Sequence, residues 1–135
     1  MNWKLIFQLS LFGLAMAFLT VFVISADFEP IFWGTIFVAC AFQIAHKAPR
    51  LFFLHGFLVS VVNSVWITVV HLVLFDQYIA RHSDEAHLMT LLNLPVSQRM
   101  LMAILGPIIG IISGLILGLF SFIAGKIYTK KFKKA

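Results

Sequence analysis

The residues able to do chemistry in this chain fall into three small groups. Ser60, Asn63, Ser64 and His71 recur at helical spacing within one apolar stretch, which on a helix puts two hydroxyls, a carboxamide and an imidazole along one arc. Polar groups inside a bilayer are costly, so such an arc suggests a polar path for an ion, proton or small solute, centred on Asn63 and His71. The plainer role is hydrogen bonding to neighbouring helices, at about 0.6 kcal/mol per bond. His46 and His55 form the second group, with Gln8 and Gln43 toward the same boundary. Two histidines on adjacent helices at one depth could hold haem or a metal, but the third and fourth ligands are missing. The third group is His82, Asp84, Glu85 and His87. It lacks the His-Glu-x-x-His spacing that sets two histidines one turn apart and reads as solvated loop residues.

There is no Gly-rich phosphate loop, no Ser/His/Asp arrangement and no paired carboxylate scaffold, so the sequence predicts no enzyme and no cofactor.

The elements that carry these groups follow from composition. Of 135 residues 61% are hydrophobic and 11% charged, against roughly 25% charged in ordinary globular chains. Uncharged stretches run over 5–26, 30–45, 51–75 and 100–125, and a helix needs about 20 apolar residues to cross the hydrocarbon core. The second stretch is short; Phe28 extends it at one end and Lys47 can snorkel at the other. Unbroken apolar runs exclude membrane β-strands, which alternate apolar and polar. The expected fold is therefore all-α: an integral membrane four-helix bundle forming one transmembrane domain over 1–135, with spans at about 4–26, 30–47, 50–75 and 98–128. The lone Cys40 lies within the second span and reads as inert packing. A cleaved signal peptide is the rival for the first span, with Ala15, Met16 and Ala17 as a small-residue site, but the apolar run continues through Ile24.

Orientation follows from the basic residues, which are retained on the cytoplasmic side. With the N-terminus inside, Lys4, Lys47, Arg50, Lys126, Lys130, Lys131, Lys133 and Lys134 all fall inside, and only Arg81 and Arg99 outside. The acidic residues Asp27, Glu29, Asp76, Asp84 and Glu85 then lie outside. Trp3 and Tyr128 mark the inner boundary, Trp33 and Tyr78 the outer one. Both termini are thus expected in the cytoplasm, with an outer loop at 76–97 and a basic tail at 129–135 that fixes topology and attracts anionic lipid. Net charge is +5, and the tail accounts for it without nucleic acid as a partner. Within the outer loop, Ser83 is placed to cap a short amphipathic helix through Leu88, Leu91 and Leu92 that stops near Asn93 and Pro95. Ser97 should cap the fourth span, and Gly106 with Pro107 should kink it.

The most specific pattern is Gly106, Gly110, Gly114 and Gly118, spaced four apart. Such a row lets backbones approach closely in lipid, where little hydrophobic drive joins helices. Gly56, Ser60, Ser64 and Thr68 make a matching row on the third span, so the two rows are expected to face each other in a hairpin. Gly13 and Ala17 offer the first span a weaker version.

The chain resembles a family of small, uncharacterised four-span proteins of bacterial inner membranes. The resemblance is carried by Met1, Asn2, Trp3 and Lys4, by Pro30, Ile31, Phe32 and Trp33, by the stretch from His55 to Trp66 and by the glycine row. It implies a multi-pass protein of a bacterial plasma membrane and supplies no activity. The expected role is a non-enzymatic component whose partners are the lipid bilayer and itself or another membrane protein. The alternative is a small permease or channel subunit with its polar path along the third span.

Overall fold

The structure, a computed structural model, describes residues 1–92 and 95–132. Asn93 and the tail lysines Lys133 and Lys134 lie outside those residues, as does the side chain of Lys131. Every element among the described residues is a helix: α1 (Trp3–Phe22), α2 (Glu29–Lys47), α3 (Phe52–Val73), α4 (Phe75–Arg81), α5 (Ser83–Leu91) and α6 (Gln98–Phe132).

Local chemistry sets these boundaries. The Asn2 side chain accepts the Leu5 N–H at 3.1 Å and starts α1. Pro30 sits in the first turn of α2, where its missing N–H leaves no bond unmade. Ala48 turns extended before Pro49 and ends that helix. Leu51, at φ 58°, takes the left-handed conformation just before α3. Ser97 accepts the Met100 N–H at 3.2 Å and starts α6 as its residue type suggests, and α6 continues through Pro107 without a break.

The segment 75–91 departs from the sequence reading. It holds two short helices rather than one, and His82, not Ser83, occupies the cap position of α5, without a side-chain cap bond. Ser83 is the first helical residue.

Among the described residues three helices are long and apolar enough to cross a membrane: α1, α3 and the Gln98–Lys130 part of α6. At 19 residues α2 has the length, but Glu29, Gln43, His46 and Lys47 dilute it.

Close approach organises the packing. α3 lies along α6 and α1, and α2 lies along α6. Against α6, Gly106 and Gly110 meet Thr68 and Ser64, whereas Gly114 and Gly118 receive the rings of Phe57 and Phe53. Gly56 lies against Ser121 and the Leu117 carbonyl. A Cβ at Gly114 would stand 3.0 Å from the Phe57 ring, so the glycines are spent on contact inside the chain.

Sequence order reverses across this pair, making α3 and α6 antiparallel. Against α1, Asn2 pairs with His55, Gly13 with Asn63 and Thr20 with His71, so α1 and α3 are parallel. His46 stands edge-on to Tyr128 at 5.3 Å, bringing the C-terminal parts of α2 and α6 together. The four long helices therefore alternate in direction.

One end of the molecule gathers Lys4, Lys47, Arg50, Lys126 and Lys130; the other holds Glu29, Asp76 and Glu85 with Arg81 and Arg99. We call these the basic and acidic ends. Toward the basic end the interior is filled by Leu5, Ile6, Leu9, Ile44, Val59 and Leu117, with the thiol of Cys40 buried among them.

Candidate functional site in the helix interior

Above that apolar plug the interior opens. A cavity of about 540 Å³ extends from Ser60 and Ser113 to Glu29 and Glu85 at the acidic end, within the range of small-molecule sites, about 300–1,000 Å³. Its span on α3, from Ser60 to His71, is about 16 Å at 1.5 Å per residue. None of the plug residues lines it. Leu88, Leu92 and Ile109 do, and each is more than half exposed, so the cavity reaches the surface between α5 and the first half of α6.

The floor is a hydrogen-bonded layer. Ser113 donates to the Ile109 carbonyl at 2.7 Å, and Ser60 lies 2.8 Å from the Ser113 hydroxyl and 3.3 Å from the Gly110 carbonyl. Ser64 is satisfied within its own helix by the Val61 carbonyl at 2.8 Å.

Asn63 and Thr68, between floor and mouth, are different. Asn63 is 3% exposed and lines the cavity, yet its Oδ1, set against Gly13, has no hydrogen-bond partner. The Thr68 hydroxyl, beside Gly106, has none either. Leaving such a group buried and unpaired costs about 1–3 kcal/mol, so neither oxygen is kept polar by a bond within the described residues.

At the mouth an aromatic and acid–base ladder joins five helices. The Thr20 hydroxyl lies 3.1 Å from the Ala17 carbonyl and 3.0 Å from His71 Nε2, so it links α1 to the ring, the direction of the second bond following from which imidazole nitrogen carries the proton. His71, Tyr78 and His82 stack in sequence with centroids 4.0 and 4.1 Å apart. Tyr78 donates to Glu85 Oε2 at 2.9 Å. Burial, with Glu85 adding to it, pushes the Tyr78 phenol well above its ordinary range, which keeps it a donor.

His82 contacts the Tyr78 carbonyl through Nδ1 at 3.0 Å and Glu29 Oε1 through Nε2 at 2.8 Å. A carbonyl only accepts, so Nδ1 carries a proton. The bond to Glu29 then contains one further proton, whether on nitrogen or oxygen, and the pair is neutral in either form. Burial raises the Glu29 carboxyl above its ordinary value against the opposing pull of His82.

This corrects the sequence reading of His82 and Glu85 as solvated. His82 is 1% exposed because its ring is sandwiched against Tyr78 and tied to α2. Asp84 and His87 are exposed as expected. Of the partner residues, Thr20 was not singled out in the sequence, and Glu29 and Tyr78 were read only as markers of the outer side. One signal was present: His71, Tyr78, His82 and Glu85 stand at spacings of seven, four and three, one face of a helical path.

His46 and His55 have different partners: His46 stands against Tyr128. The Asn2 N–H donates to His55 Nε2 and His55 Nδ1 donates to the Leu51 carbonyl, each at 3.0 Å. With both nitrogens engaged, His55 has no lone pair left for a metal. Among the described residues no three His, Cys, Asp or Glu side chains cluster to hold one. Asn63 and His71 do face one cavity, together with Ser60, Ser64 and Thr68.

No family model, no curated protein and no solved structure matches this chain, and the functional reading rests on the cavity itself.

Proposed function

We propose that this chain is a four-pass protein of a bacterial inner membrane, with both termini cytoplasmic, and that it binds a small, largely apolar molecule in the cavity beside α3. In that role it is a small permease or a solute-binding subunit. The alternation of the four long helices and the concentration of lysines at one end support four crossings; the opening residues and the glycine row support the bacterial assignment by resemblance.

The observation that carries the binding role is a cavity large enough for a ligand, with Asn63, whose Oδ1 has no partner among the described residues, in its wall. The apolar plug closes the basic end, so the cavity is a vestibule open on one side, the form an alternating-access carrier presents in one of its states. The test is calorimetric titration of the protein in lipid nanodiscs with phenylbutanol, an apolar body with one hydroxyl. Saturable binding beyond that of empty nanodiscs is expected. Its absence for this alcohol and for the matching amine would remove the proposal.

A helix-interaction role is the second reading, and Gly34 favours it. A Cβ there would meet nothing within 4 Å, and Ile31, Val38 and Phe42 beside it are exposed. The glycine row of α6 faces α3, so a partner helix would be taken on α2. Gly34→Leu should then dissociate an assembly; an unchanged oligomeric state counts against this reading.

A further inference from the structure

We propose that the occupant of the cavity is a lipophilic amine in its protonated form, with its ammonium group set toward Glu85 and its apolar body between α3 and α6. This inference rests on the reading of the cavity as a ligand site.

The charge balance of the lining points to a cation. Among the described residues two carboxyl groups line the cavity, Glu29 and Glu85, and no Lys or Arg does. Glu29 shares its proton with His82 and contributes no net charge. Glu85 has no such compensation: its bond comes from a neutral phenol. The arginines of this end are used elsewhere, Arg99 on Asp76 at 3.2 Å and over the Phe75 ring, Arg81 on the Val23 carbonyl. A carboxylate at the edge of a mostly apolar space attracts a cation far more strongly than in water. An anionic ligand would meet the same field as repulsion, so the lining selects by sign.

The walls describe the rest of the molecule. Trp33 and Phe37 of α2 and Ile67, Met102 and Leu105 of the facing helices offer aromatic and soft aliphatic surface, suited to a hydrocarbon body and, at Trp33, to a cation over an indole face. The exposed rim residues Leu88 and Ile109 give such a molecule a route in from lipid, where an amphiphilic amine already resides. Deeper in, Asn63 adds a polar side chain to the wall, its Oδ1 buried and without a partner among the described residues.

The test compares phenylbutylamine, charged at neutral pH, with phenylbutanol, its neutral counterpart. Full-length protein is titrated in nanodiscs of zwitterionic phosphatidylcholine, so that the bilayer surface does not gather the amine. The amine should bind about tenfold more tightly, the scale of one cation contact in a partly desolvated site. Glu85→Gln keeps an acceptor for Tyr78 and should bring the two affinities together, whereas Asp84→Asn, exposed and outside the lining, should preserve the ratio. Equal affinities in the wild type overturn the charge preference while leaving the cavity a ligand site. An amine advantage that survives Glu85→Gln also overturns it. Binding of neither compound overturns both readings. The wild-type comparison decides even if the variant folds poorly.

Discussion

Glu29 Oε1 and His82 Nε2, 53 positions apart in the chain, lie 2.8 Å apart and share one proton. Burial holds the Glu29 carboxyl above its ordinary 4.5, so the folded chain keeps that proton more tightly than the unfolded chain does. The sign follows from linkage: this group's contribution is complete below the unfolded value and declines as pH rises through the raised one. Glu29→Gln removes the titration and can still donate an amide N–H to the bare Nε2. Its thermal stability in detergent, relative to wild type, should therefore climb through the pH window that opens at 4.5. A relative stability that is flat or falling across that window refutes the shared proton.

The glycines separate by what surrounds them. At Gly110 a side chain would run into Ser64, and Gly110→Leu should cost about 1–3 kcal/mol or abolish folding, as overpacking of a filled interior does. Gly34→Ala should leave stability within about 1 kcal/mol, the propensity difference between the two residues, because nothing lies near it. Helicity melts of the two variants that coincide would show that close approach is not what α6 uses its glycines for.

Much of the frame was legible in the sequence because it depends on local chemistry. Apolar length fixed α1, α3 and α6, Pro30 and Ser97 marked two starts, and small residues at positions 106, 110, 64 and 68 marked where α6 and α3 touch. The hydroxyls and Asn63 of α3 were readable as one arc for the same reason. The mouth of the cavity was not. Glu29 and His82 belong to segments that meet only after the long helices have packed, and no local pattern encodes that meeting. Charged residues near a boundary read as solvated by default, which hid the ladder through Tyr78. The rows also matched only in part: Phe53 and Phe57, not Gly56 and Ser60, fill the grooves at Gly118 and Gly114, because a ring can lie flat where two small residues would leave a gap.

His55 is a fastener between α1 and α3. Its Nε2 takes the Asn2 N–H, one of the first-turn donors that a helix cannot satisfy itself. His55→Phe should release it, at about 1 kcal/mol, and amide exchange should quicken over residues 3–6 while the centre of α1 is unaffected. Uniform exchange along α1 would mean that His55 does not pin its start. Purified protein should carry no Soret absorption, since His55 offers no free nitrogen to haem.

Asn63 distinguishes a structural group from a functional one. A polar residue kept for stability loses stability when replaced by an apolar residue of similar shape; Asn63 Oδ1 makes no bond among the described residues to lose. Replacing an unsatisfied buried amide by hydrocarbon removes a penalty of about 1–3 kcal/mol, and the contact with Gly13 constrains shape rather than polarity. Asn63→Leu should therefore melt at the same temperature as wild type or higher, while its affinity for phenylbutanol falls. Asn63→Gln, which keeps the amide but lengthens the side chain into the cavity, should lose affinity without that gain. If Asn63→Leu instead unfolds readily, the carboxamide has a partner in the membrane-embedded protein and serves the fold; if it is stabilised with undiminished binding, the ligand takes its polar contact from Thr68 or the floor of serines. Stability and binding moving in opposite directions is the signature of a side chain retained for what enters the cavity.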